Sequence, residues 1–278
     1  QYIPDLLDMI VTSGQITDQY KEKGSGNIPS SISENVLFLP ENFPTKTSYQ
    51  NLYGILSMKH VPYNDAMNIF YNNVCVREMN VDTSSWTSLN NAFRACYFLT
   101  KINEGNIVDC SGMARYGDFL NTFYGCSSLE EVSLINIPER ALDCSSIFSL
   151  APNIIPDKMK KITFSPKVKV SRIVLGFRNS LQTIVGELDF SECEPNQQQN
   201  PFNGCTSLIE VRFTPESIKQ NLSFTQSSQL SDESIQSILD GLANVSTTQT
   251  LSLNSAVYAK LTEEQKQSAT DKGWTITG

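Results

Sequence analysis

An apolar residue, a small or polar residue and two further apolar residues recur along this chain at three-residue steps. The runs are Phe70/Asn73/Val76/Met79, Phe93/Cys96/Leu99/Ile102, Phe123/Cys126/Leu129/Val132, Leu175/Arg178/Leu181/Ile184 and Phe202/Cys205/Leu208/Val211. A weaker copy, Phe148/Ala151/Ile154, fills the gap, so the leading positions lie 23, 30, 25, 27 and 27 residues apart. A period of this size is that of a solenoid, whose units cannot bury an apolar face alone and do so by stacking on their neighbours. The last two apolar positions open alternating stretches: Val76/Met79/Val81, Leu129/Val132/Leu134, Met159/Ile162/Phe164 and Leu208/Val211/Phe213. Period-two alternation marks a half-buried strand, which predicts one short strand per repeat. The chain returns to the same edge after about 20 intervening residues, so successive strands run parallel. The expected fold class is therefore an α/β solenoid with a curved parallel sheet and the phenylalanines packed on the side away from it.

The two ends depart from this pattern. Residues 1–35 divide into an amphipathic helix over 4–11 (PDLLDMIV) and a Gly/Ser/Pro-rich linker over 21–31, expected to cap the stack. Residues 36–39 (VLFL) open the repeats, which run over 36–225. The last unit, 226–278, reads as a repeat-like cap with two helices. Ser231 precedes Ile235/Ile238/Leu239/Leu242 at helical spacing, and Thr262 precedes the acidic pair Glu263 and Glu264. Strands are expected at 251–253 and 274–276, with Gly273 as the helix stop.

Composition narrows the function classes. The 278 residues are 40% hydrophobic and 18% charged, which suits a folded chain with an uncharged, hydroxyl-rich surface. A net charge of -8 lacks the clustered cations that nucleic acid requires, and the short basic spot 158–161 (KMKK) reads as a solvated turn. No apolar run approaches the ~20 residues of a membrane helix. The seven cysteines, at 75, 96, 110, 126, 144, 193 and 205, include no C-x-x-C spacing. Cys96, Cys126 and Cys205 share one repeat position, either as buried thiols or as disulfides between adjacent rungs.

The units AFRACYFLTKI (92–102), TFYGCSSLEEVSL (122–134) and PFNGCTSLIEVRF (201–213) resemble the BspA-like leucine-rich repeats, whose pattern is A-F-x-x-C-x-S-L-x-x-I-x-I-P. Ile137 and Pro138 supply the closing pair in one copy. The resemblance covers about residues 66–225, and residues 261–278 (LTEEQKQSATDKGWTITG) look like the terminal segment of such proteins in gut bacteria and their phages. It implies a right-handed leucine-rich-repeat superhelix on a cell surface or virion, used for contact with host molecules. Departures are Arg178 in place of the cysteine, an insertion before Met159 and the loop 195–201 (PNQQQNP).

Candidate chemistry is sparse. The single histidine, His60, reads as a packed or surface residue, and the sequence signatures of α/β-hydrolases, zincins, P-loops and dinucleotide folds do not occur. No cofactor or metal is expected. Glu130 and Glu131 would point to opposite faces and Glu263 and Glu264 belong to a helix start, leaving Glu187 and Asp189 as the one carboxylate pair on a shared face. The outward strand positions form a short polar row: Asn80, Asn103, Ser133, Thr163, Asp189, Arg212, Ser223, Ser252 and Thr275. Tyr97, Tyr116, Tyr124 and Trp86 are candidate aromatic anchors along one edge. The reading expected is a non-enzymatic module that binds a host or bacterial surface protein or glycan. A phage virion component with assembly contacts through the N-terminal segment, and an enzyme using the acid pair, are the alternatives.

Overall fold

The computed structural model describes residues 10–11, 36–39, 54–58, 66–72, 76–113, 118–151, 157–193 and 200–278. These residues form mostly parallel sheets with few helices. The first sheet runs β1 (Ile10–Val11), β2 (Val36–Leu39), β3 (Gly54–Met58), β4 (Val76–Val81) and β5 (Lys101–Ile102). The second has the order β11-β10-β9-β7-β6, from β6 (Ile107–Asp109), β7 (Glu131–Ile135), β9 (Lys161–Ile173), β10 (Thr183–Asp189) and β11 (Glu210–Phe213), with β8 (Leu142–Cys144) also pairing β9. The third is β12 (Leu222–Phe224), β13 (Gln249–Leu253) and β14 (Trp274–Thr277). Every pairing is parallel except β1 with β2. Ile10 and Val11 thus belong to a strand, which corrects the helix expected there. Residues 4–9 and the linker 21–31 lie outside the described residues, as do His60, Asn73, Cys75, Tyr116 and Ile154.

The three-residue steps become intelligible in the turns. Phe70, Phe93, Phe123 and Phe148 are fully buried and stack ring on ring, with centroids 5.8, 5.2 and 5.2 Å apart. Backbone groups of one turn bond the next: Phe70 N–H to Ala92 O at 2.9 Å, Phe93 N–H to Thr122 O at 3.0 Å and Phe123 N–H to Ile147 O at 2.8 Å. The buried turn backbone is therefore satisfied by its neighbour, as an irregular segment in a core must be. The cysteine position completes the contact. Cys96 Sγ–H donates to Phe70 O at 3.2 Å, Cys126 to Phe93 O at 3.1 Å and Cys205 to Leu175 O at 3.7 Å. A small weak donor fits there because it meets a carbonyl one unit back without opening a cavity.

The six described cysteines are free thiols, and all but Cys193 are buried. Burial pushes the Cys126 and Cys205 thiols up to about 12, well above the ordinary ~8.5. The unfolded chain therefore loses these protons first as pH rises, so the thiols' contribution to stability is intact below ~8.5 and declines above it. At pH 8, Cys96, Cys110, Cys126, Cys144 and Cys205 are expected to resist a thiol-specific alkylating reagent until unfolding, as peptide mass mapping would show. Rapid native labelling of any of them would contradict this packing.

The C-terminal elements form largely where expected. Helix α1 (Asp232–Gly241) starts at Ser231, whose side chain accepts from Ser234 N–H. A short helix α2 (Ser255–Tyr258) was not anticipated, and α3 (Glu263–Asp271) carries a full capping box between Thr262 and Gln265. Trp274 is buried, and its Nε1–H donates to Ala243 O at 2.9 Å. Helix α1 has a further role that its sequence did not disclose. Ser234 Oγ accepts from Val211 N–H at 3.0 Å and Ser237 Oγ accepts from Phe213 N–H at 2.9 Å, so two helix hydroxyls terminate the ladder at the β11 edge.

Candidate functional site

Strand register decides which outward residues lie side by side. Ile107 pairs with Ser133, Ser133 with Thr163, and Thr163 with Val185, a continuous row across β6, β7, β9 and β10. Its two central members are polar and half-buried, whereas Ile107 and Val185 are 39% and 40% exposed aliphatics. The row one step below is Glu131, Lys161, Thr183 and Glu210. Neutral hydroxyl and aliphatic groups therefore flank each other at the centre, with charges along one border.

Of the residues expected to share one polar row, Ser133 and Thr163 are adjacent in the second sheet and Ser223 and Ser252 in the third. Asn80 is exposed but stands on β4 of the first sheet, opposite Ser57. Asn103 follows β5 with a left-handed φ of 55°; its Oδ1 accepts from Val81 N–H at 2.7 Å and its Nδ2 donates to Ile107 O at 2.8 Å. It bridges a break in the ladder instead of facing outward from a strand. Arg212 is exposed beside Glu187 on the neighbouring strand. Ser223 and Ser252 pair with each other, but in the separate third sheet, where Ser252 meets Thr277 and Thr275 meets Thr250.

Asp189 requires the largest correction. It is 4% exposed and accepts from Ser191 N–H at 2.9 Å, with Lys167 Nζ 4.0 Å from its other oxygen. Burial by itself would raise the carboxyl, but hydrogen bonds from Ser191 and the charges of Lys169 and Lys167 hold it below the usual carboxylate range. Glu187 remains exposed and accepts from Thr214 Oγ1 at 3.1 Å. The β9–β10 register shifts at Gly186, but burial still alternates from Ile184 through Leu188, so Asp189 keeps the parity of Glu187 and is covered at the end of the strand. Of Glu187 and Asp189, therefore, only Glu187 is open to solvent.

The same irregularity opens a cleft of ~630 Å³ bordered by Pro166, Val185, Glu187, Glu210, Arg212 and the first turn of α1. Comparison with protein-family models, curated proteins and solved structures finds no match for this chain. Among the described residues, no group of three or more His, Cys, Asp or Glu side chains could hold a metal ion, and no helix is long and apolar enough to cross a membrane.

The aromatic candidates separate by burial. Trp86 is wholly buried against Phe70 and Phe93 and belongs to the core. Tyr97 and Tyr124 are half-buried, and Tyr124 lies against Arg94. Sequence reading missed Arg94 and Tyr71. The available signal was their position, since Tyr71, Arg94 and Tyr124 each follow the anchoring phenylalanine by one residue.

Proposed function

We propose that the chain is a right-handed leucine-rich-repeat solenoid of the BspA-like type, acting as a non-enzymatic recognition or adhesion module at a bacterial surface. The observation that carries this reading is the division of labour within each unit. Phe, Cys and Leu positions are consumed by contacts to the neighbouring unit, while the row Ile107–Ser133–Thr163–Val185 faces outward with no described element covering it. A surface of short hydroxyl and aliphatic side chains, set on hydrogen-bonded parallel strands, suits contact with a protein or glycan surface.

An array of host-surface glycans and proteins tests the reading. The wild-type chain is expected to bind a restricted set, and Ser133→Arg/Thr163→Arg is expected to lose at least ~10-fold in affinity by placing two long cations at the centre of the face, without a shift in thermal midpoint. Absence of any ligand, together with a stable oligomer in light scattering, would favour the virion alternative. Retained binding by the double variant would move recognition off this face.

A further inference from the structure

We infer that the Tyr71–Arg94–Tyr124 stack is a recognition site for an acidic sugar, one carboxylate on an otherwise neutral, hydroxyl-rich molecule. This rests on the glycan branch of the reading above and places it away from the Ser133–Thr163 face. The Arg94 guanidinium carbon lies 5.4 Å from the Tyr71 ring centroid and 5.3 Å from that of Tyr124, so the cation is held between rings from the turns on either side of its own. All three residues are half-buried, leaving the rim of the stack at the surface. Arg94 Nη1 donates to Asn91 Oδ1 at 3.4 Å, and Asn91 is itself held by Asn121 Nδ2 at 3.2 Å.

Among the described residues, no carboxylate ion-pairs with Arg94. The turns 66–72, 88–98 and 118–128 contain a single acid, Asp118, which is occupied by Arg140 at 3.4 Å. In a chain of net charge -8 this leaves a cation uncompensated and already immobilised. Aromatic stacking engages the faces of a guanidinium and not its in-plane N–H groups, of which Arg has five. One is directed at Asn91, and the rest are preorganised for an oxyanion, a carboxylate being met by two parallel bonds.

The surroundings choose between anions. Arg94 is the only Lys or Arg in those three turns, and its neighbours are Asn and Tyr, neutral groups that bond hydroxyls and lie against sugar C–H faces. An acidic peptide or a nucleic acid would call for several cations. A uronate-type sugar carries the one charge and the hydroxyls that this rim can meet.

The test is an NMR titration of the Arg Nε–H resonances in the full chain with a glucuronate-terminated trisaccharide. Parallel arms use its neutral glucose counterpart, its sulfate-ester counterpart, and a neutral peptide bearing one aspartate. The expected result is a saturable shift of the Arg94 resonance, at least ~10-fold weaker with the neutral sugar and lost in Arg94→Gln. Arg94→Lys, which keeps charge but not the fork, should weaken binding by ~5-fold or more. No saturable shift with the uronate, or unchanged affinity in Arg94→Gln, overturns the site. An aspartyl peptide or sulfated sugar that matches or exceeds the uronate overturns the ligand assignment. The wild-type titration alone decides the matter if Arg94→Gln fails to fold. Array binding that Ser133→Arg/Thr163→Arg abolishes and Arg94→Gln leaves intact removes this site while the recognition reading stands.

Discussion

Arg178→Met is expected to lower stability by about 3–5 kcal/mol, read as a shift of the denaturant midpoint at constant slope. Arg178 stands at the repeat position held elsewhere by cysteine, and it is fully buried. Its Nε–H donates to Phe148 O, the bond that a thiol makes in the other units. The rest of the guanidinium reaches further: Nη1 donates to Cys126 O at 3.2 Å, Nη2 to Phe123 O at 3.4 Å, and Nη1 also pairs with Asp157 at 2.8 Å. One side chain therefore ties three successive turns. Methionine fills much of the volume but strands a 4%-exposed carboxylate, with only Met159 N–H and Ser180 N–H left to hold it. An unpaired buried charge is the dominant cost, because the lost carbonyl contacts are each worth only ~1 kcal/mol. Arg178→Cys should be destabilised for the same reason although it restores the repeat residue. Adding Asp157→Asn should recover at least ~1 kcal/mol of that loss, a coupling that a double-mutant cycle would isolate. Additivity of the two substitutions would show that the pair is not the source of the effect.

Gly186→Ala is expected to cost about 4 kcal/mol or more, among the largest effects available to a single methyl group. Gly186 has φ +88°, and a Cβ built on it falls onto the carbonyl oxygen of Phe164 and 2.9 Å from that of Pro166. Neither atom belongs to a flexible side chain, so relief requires moving the β9 backbone. Because this residue sets the β9–β10 shift, the substitution should also disturb Asp189 and Val185, which urea titration combined with hydrogen exchange across Thr183–Asp189 would report. A near-neutral result would mean that the two strands can re-register at little cost.

The inward positions were legible because the three-residue steps of the sequence place the same residue types in successive buried turns. Phe93, Cys96, Leu99 and Ile102 are all fully buried, as are Phe123, Cys126, Leu129 and Val132 to within 1%. The helix starts at Ser231 and Thr262 were equally legible, since a capping hydroxyl bonds locally and needs no tertiary context. The outward half was less so. Alternation assigns a face but not what covers it: Asp189 keeps the parity of Glu187 yet is shielded at the end of β10. Strand β9 runs on through Pro166 to Ile173 and pairs with β8, a continuation that the repeat pattern did not mark. The serines of α1 that end the β11 ladder, and the arginine between two tyrosines, depend on contacts 23–30 residues apart that no local spacing encodes.

The claim on which the rest depends is that neighbouring units stack in register, so that outward residues form rows. Cross-linking reads this directly. In a Cys75→Ser/Cys193→Ser background, Ser133→Cys/Thr163→Cys and Thr163→Cys/Val185→Cys place thiols on directly paired positions of adjacent parallel strands. Both pairs are expected to be bridged rapidly and intramolecularly by a short bifunctional thiol reagent. Ser133→Cys/Phe164→Cys, one residue out of register with an inward side chain, is expected to remain unbridged. Equal bridging of the slipped pair, or none in the two matched pairs, would contradict the stacked arrangement and with it the outward face.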